Sequence, residues 1–164
     1  MTQNINLSCA LRKRPVAVAT VSGSTQYSGI RGRVLFYNLP QGVLVKAEVT
    51  GLPKGEECSS PIFAMHIHSG EECKGNADNP FFFAGTHYNP NSCEHPYHTG
   101  DMPPLFGVNG TALSCFLTDR FNINEVIGRA VIIHAKPDDF MTEPSGNSGE
   151  KIACGIIKPV GGFR

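Results

Sequence analysis

Apolar and polar residues alternate along this chain in short stretches closed by glycine, proline and asparagine. The clearest is "GVLVKAEVTGLPKG", residues 42–55. Successive side chains of an extended strand point to opposite faces. Val43, Val45, Ala47 and Val49 therefore turn inward and Leu44, Lys46, Glu48 and Thr50 outward, until Gly51 and Pro53 break the run. The same reading gives strands in "RPVAVATVSGS" (14–24), "GIRGRVLFYNLPQG" (29–42) and "PIFAMHIHSG" (61–70). "FGVNGTALSCFLTD" (106–119) offers a turn at Asn109-Gly110 and then a strand, and "GRAVIIHAKPDD" (128–139) and "KIACGIIKP" (151–159) offer two more. No long amphipathic helix pattern intervenes. Seven or eight short antiparallel strands define an all-β chain, a sandwich or barrel.

Two stretches escape the pattern. Residues 69–105 are rich in Gly, Asn, Pro and Phe, and residues 135–149 read "AKPDDFMTEPSGNSG". Structureless loops this long in a compact domain are functional or disordered. The first carries three of the six histidines, which makes it functional. Strand 61–70 sharpens the point. Phe63, Met65 and Ile67 share one face and look like core, while His66 and His68 share the other. Those two imidazoles are either solvated surface or the start of a metal site.

Length and charge narrow the classes. At 164 residues the chain fits one domain spanning residues 1–164, with room for a sizeable core. A formal net charge of zero gives no bulk attraction to nucleic acid or to an anionic membrane surface. No run approaches the ~20 apolar residues of a membrane span. In "MTQNINLSCALRKRPVAVAT" the basic residues Arg12, Lys13 and Arg14 come late and the apolar run after them is short, unlike a secretory signal, so a cytoplasmic location is the expectation unless a leader was removed. The six cysteines, at 9, 58, 73, 93, 115 and 154, form no CxxC pair, which argues against a zinc ribbon or thioredoxin-like site. Several read as buried thiols. Cys115, sharing a face with Leu113 and Leu117, fits that reading. An exported disulfide scaffold is the other option, though such scaffolds are usually shorter.

All six histidines, at 66, 68, 87, 95, 98 and 134, avoid the first 65 residues and the last 30, which argues for one shared site. His87, His95, His98 and Asp101 supply three imidazoles and a carboxylate, the donor set of tetrahedral zinc. His66, His68 and His134 add further imidazoles, which suit copper as well as zinc. Zinc alone would leave the His66–His68 pair unused.

"HIH", "GTHYNP", "H…HTGD", "IGRAVIIHAKPDD" and "SGNSGEKIACGII", in this order, resemble the copper,zinc superoxide dismutases from about residue 30 to residue 158. The likeness joins separate motifs, including the eight-residue step from His87 to His95 and the three-residue step from His98 to Asp101. It implies a Greek-key β-barrel or flattened sandwich. It assigns copper to His66, His68, His87 and His134, and zinc to His87, His95, His98 and Asp101, so that the His87 imidazolate bridges both ions. Asp138 matches a carboxylate that supports both ligand shells from outside, with a solvated loop acid as the alternative. Cys73 and Cys154 match the family's disulfide. Cys9, Cys58 and Cys93 have no counterpart there; Cys93, inside the zinc-loop stretch, reads as a stray thiol, a metal-sensitive one or half of a second bridge.

The activity implied is disproportionation of superoxide anion to dioxygen and hydrogen peroxide, with copper turning over and zinc holding the bridge. His87 is expected to pass a proton to the reduced substrate, and positive charge near copper to guide the anion. The resemblance leaves a homodimer open. Three departures stand out. Lys151 occupies the place of an active-site arginine, keeping the charge but not the planar fork. Glu150 sets a negative charge beside it, or points to solvent. The segments 134–151 and 95–98 are also shorter than is typical of the family, which suggests a trimmed anion funnel. Relatives that only handle metal, or that bind zinc alone as structural domains, are the rival expectation. They commonly lose copper ligands, and this chain keeps all four.

Overall fold

Eight antiparallel strands close on themselves in the order β1-β2-β3-β6-β5-β4-β7-β8. They are β1 (Ala17–Gly23), β2 (Arg31–Leu39), β3 (Gly42–Thr50), β4 (Ile62–His68), β5 (Asp101–Val108), β6 (Thr111–Thr118), β7 (Ala130–His134) and β8 (Lys151–Pro159). The neighbours β3–β6 and β4–β7 are not consecutive, which makes the barrel a Greek key. The molecule is described here by a computed structural model covering residues 6–56 and 61–161, so Cys58 lies outside the described residues.

The alternation read along residues 42–55 is what fills the barrel. Val43, Val45, Ala47 and Val49 enter a core with Val34, Phe36, Phe63, Met65, Ile67, Val131, Ile133 and Ile152. Outward positions divide by what covers them. Over β2 and β3 lies a short helix α1 (Leu7–Arg12), capped by the Asn6 side chain, whose Ala10 packs on Leu35, Tyr37 and Leu44. Leu44 therefore faces outward as expected, yet is buried, because six residues too short to show a periodicity cover it. Over β7 and β8 lies the loop after β4, where Phe81 and Ala84 meet Ala130, Ile132 and Cys154. Over β5 and β6 nothing among the described residues lies, and Phe106, Val108 and Leu113 stand 62%, 68% and 69% exposed.

Two expectations are corrected here. Cys115 is not a buried thiol. Leu113, Cys115 and Leu117 do share a face, but Ala112 on the other parity is the residue that enters the core, so the shared face is the outer one and Cys115 is exposed and free. β5 begins at Asp101, inside the segment expected to be loop through residue 105. Pro103 and Pro104 hid it. The strand tolerates both prolines because its ladder to β6 exists only at Gly107–Ala112 and Val108–Thr111, so donors are not needed at 103 and 104 on that side. Among the described residues no helix is long and apolar enough to cross a membrane.

Candidate metal centre

β4 is buried along nearly its whole length, its inward face by the core and its outward face by the two long loops. His66 and His68, on that outward face, are consequently sealed rather than solvated. His134 ends the neighbouring strand β7, and His87 reaches the group by an isolated bridge to His68. Tyr88 N–H donates to Ile67 O at 2.8 Å and Ile67 N–H to Gly100 O at 2.9 Å, lacing the loop against the end of β4. A Cβ on Gly100 would stand 2.2 Å from Ile67 O, so only glycine admits this approach.

Two buried groups result, each with ligand atoms within 4.8 Å of one another: His66, His68, His87 and His134, and His87, His95, His98 and Asp101. His87 belongs to both. All the histidines named from sequence, with Asp101, are thus brought together.

The partners of each ring fix which nitrogen carries hydrogen. His66 Nε2 donates to Asp138 Oδ2 and His95 Nε2 to Asp138 Oδ1, both at 2.8 Å. His68 Nδ1 donates to Gly85 O at 2.9 Å, and His134 Nδ1 to Gly149 O at 3.1 Å, with Ser148 Oγ 3.2 Å away. A neutral imidazole that donates from one nitrogen has a lone pair on the other. Those lone pairs converge. His66 Nδ1, His87 Nε2 and His95 Nδ1 are buried without a hydrogen-bond partner. His68 Nε2 and His134 Nε2, two acceptors, face each other at 3.2 Å. Two lone pairs at that distance repel unless a cation lies between them. Around the other group, His87 Nδ1 is 2.8 Å from Asp101 Oδ1, and His95 Nδ1 and His98 Nδ1 are 3.2 and 3.4 Å from Asp101 Oδ2. The donor sets and their orphaned nitrogens fit two metal ions sharing the His87 ring.

Electrostatics agree. Burial pushes His66 below the ordinary histidine range and His68 well below it; His134 is pushed down to about 3, chiefly by burial and next by the neighbouring His66. The rings are thus kept neutral and able to ligate. Burial would raise the Asp101 and Asp138 carboxyls, but hydrogen bonds outweigh it, from His87 to Asp101 and from His66, Phe140 N–H and His95 to Asp138. Both stay below the usual carboxylate range, as anions able to offset metal charge.

The surrounding residues include several that carry no sequence signal. Gly85 O accepts from His68 Nδ1 and also from Lys151 Nζ at 2.7 Å, while Lys151 Nζ meets Phe81 O at 3.2 Å. Gly146 has φ +64, and a Cβ there would sit 1.9 Å from Asp138 Oδ1 and 2.7 Å from His95 Nε2. Glu150 is exposed, as the solvent-facing alternative expected, and its Oε1 accepts the Tyr27 hydroxyl at 2.5 Å rather than pairing with Lys151. Cys73 and Cys154 form a disulfide, and Cys9 and Cys93 are free and exposed, which removes the second bridge for Cys93 among the described residues.

A closed antiparallel barrel carrying two imidazole-rich ligand groups that share one ring defines the class, a two-metal β-barrel protein. The sequence model of the family described as copper/zinc superoxide dismutase (SODC) matches residues 30–157, and the chain belongs to that family. It is 36% identical over 135 residues to a Superoxide dismutase [Cu-Zn] of Legionella pneumophila, covering 77% of each chain. It is 33% identical over 142 residues to Superoxide dismutase [Cu-Zn] 2 of Aquifex aeolicus, covering 77% of this chain and 78% of the relative. It is 30% identical to a Superoxide dismutase [Cu-Zn] of Deinococcus radiodurans over an alignment of 171 positions, covering 93% and 90%. The chain is an oxidoreductase that takes copper and zinc and disproportionates superoxide.

Proposed function

We propose that the reaction runs with copper held by His66 Nδ1, His68 Nε2, His87 Nε2 and His134 Nε2, and zinc by His87 Nδ1, His95 Nδ1, His98 Nδ1 and Asp101. The observation that carries this assignment is the set of three buried, unpartnered nitrogens, each on a ring whose other nitrogen has a partner or faces Asp101. A buried polar atom without a partner costs free energy unless something unseen satisfies it. When bound, copper supplies one-electron exchange with superoxide in both directions and zinc, which has no redox chemistry, supplies fixed positive charge.

The residues do the rest. Two superoxide anions and two protons become dioxygen and hydrogen peroxide. Lys151 draws the anion and orients it, for its ammonium spends two donors on Phe81 O and Gly85 O and keeps a third for substrate. His87 Nε2, the nitrogen facing the copper-side group, would hold a proton whenever it does not hold copper and give it to the reduced substrate. Asp101 Oδ1 lies 2.8 Å from the ring's Nδ1, placed to hold zinc together with it and so keep the ring oriented. Asp138 aligns the copper-side His66 and the zinc-side His95 with one carboxylate, which couples the two sites. Two chains pair through the uncovered β5–β6 face, a reading supported by the exposed Phe106, Val108 and Leu113.

Elemental analysis and superoxide turnover on reconstituted protein test the assignment. His134→Ala is expected to abolish copper binding and turnover while zinc stays near one per chain. Normal turnover by that variant would overturn the copper assignment.

A further inference from the structure

We propose that Arg120 and Glu143 are positioning residues of the zinc site, clamping the backbone of residues 95–98 from its two flanks. The inference rests on the zinc assignment above. His95 and His98 sit three residues apart in a stretch with no strand or helix of its own. Its internal support is slight: Tyr97 N–H donates to Glu94 O, Asp101 N–H to His98 O, and His98 N–H to Asp101 Oδ2. Pro96 has no N–H, so its carbonyl is the only backbone group there that can be gripped. Something outside must set the directions in which the two rings leave the chain.

Both flanks supply it. From the end of β6, Arg120 Nη1 donates to Pro96 O at 2.8 Å and to His98 O at 3.2 Å. One guanidinium nitrogen thereby fixes the separation of two carbonyls, one of them on a zinc-side histidine. From the 135–149 loop, Glu143 Oε1 accepts the His95 backbone N–H at 2.5 Å. The same loop holds the far end of that residue, since Asp138 Oδ1 accepts from His95 Nε2. His95 is therefore fixed at amide and ring, and His98 at its carbonyl and amide. Each added bond has a charged partner, the stronger kind of hydrogen bond. Among the described residues no charged side chain grips the backbone of the copper-side His68 or His134, whose Nδ1 atoms are held by Gly85 O and Gly149 O.

The test uses the copper- and zinc-loaded enzyme. Arg120→Ala and Glu143→Ala are each expected to speed zinc release to a chelator by about ten-fold or more, the usual scale for groups that orient ligands, while copper release stays at the wild-type rate. Cobalt(II) placed in the zinc site should show a shifted visible spectrum in both variants. Glu143→Gln keeps the acceptor oxygen but not its charge, and Arg120→Lys keeps one charged donor, so each should restore part of the wild-type rate. If an alanine variant fails to fold, the conservative variants carry the test: each should release zinc faster than wild type with copper release unchanged, and zinc release at the wild-type rate in both overturns the clamp. Zinc release at the wild-type rate in both alanine variants, or equal acceleration of copper and zinc, overturns the clamp. His98→Ala separates the two ideas: if zinc content is unchanged in it, the zinc assignment itself has failed.

Discussion

On the proposed assignment Lys151 is the residue on which the anion's approach turns, and its surroundings set its pH range. Half-burial against Phe81 O and Gly85 O leaves its ammonium partly stripped of water, which pushes its pKa below the ordinary lysine value. The charge is present at neutral pH and is lost as pH rises through that depressed value. Turnover should therefore decline on the alkaline side earlier than a free lysine would dictate. Lys151→Arg keeps its charge throughout, so its alkaline limb should move to higher pH while the neutral rate changes by a few-fold at most. Stopped-flow turnover across pH checks this, and coincident limbs in the two proteins would show that another group titrates. Glu150 does not complicate the reading, since Tyr27 holds its carboxylate and the bond keeps the phenol protonated, raising its pKa.

At the scale of elements, the outer surface of the barrel shows what each cover is for. α1 buries the outward apolar residues of β2 and β3, and the 69–85 stretch buries those of β7 and β8. Among the described strands, the β5–β6 pair is the one that leaves large apolar side chains exposed. A second copy meeting the same face would supply one, with two-fold symmetry making the patch self-complementary. Sedimentation is expected to show wild type at twice the 17.7 kDa chain mass and Leu113→Glu at the chain mass with both metals retained; a monomeric wild type would dismiss the pairing. Legibility follows the same division. Short apolar stretches bounded by turn residues exposed β1, β2, β3, β4, β7 and β8, most cleanly at β3, where one parity feeds the core. The pattern misled at β6, where Leu113, Cys115 and Leu117 are apolar yet outward, and at the start of β5, where Pro103 and Pro104 mimic a loop. At the site, the side chains that meet in the two groups were legible through histidine spacing and the family likeness. Gly85 O, Gly146, Tyr27, Arg120 and Glu143 were not, since a carbonyl, a missing Cβ and a long-range hydrogen bond depend on loop paths that no local pattern encodes.

For the molecule as a whole, the disulfide decides how the two metal sites share the scaffold. Cys73 and Cys154 are 81 residues apart, so the cross-link removes much freedom from the unfolded chain, worth about 4–5 kcal/mol on the chain-entropy view. In the folded state it acts on one side. It pins the 69–85 stretch to β8, and that stretch supplies Gly85 O to both His68 and Lys151. The zinc-side residues hang instead on the chain from 87 to 101 and on the 135–149 loop, through Asp138 and Glu143. Replacing both cysteines by serine should therefore have an uneven effect. Urea unfolding of the metal-free protein should show a loss approaching the entropic figure. Copper should exchange faster and turnover should fall, because His68 and Lys151 lose their common anchor. Zinc release should change little, because none of its supports crosses the bridge. Equal loosening of both ions would mean that the barrel transmits the loss globally, and the division of the scaffold into a disulfide-held copper side and a loop-held zinc side would have to be abandoned.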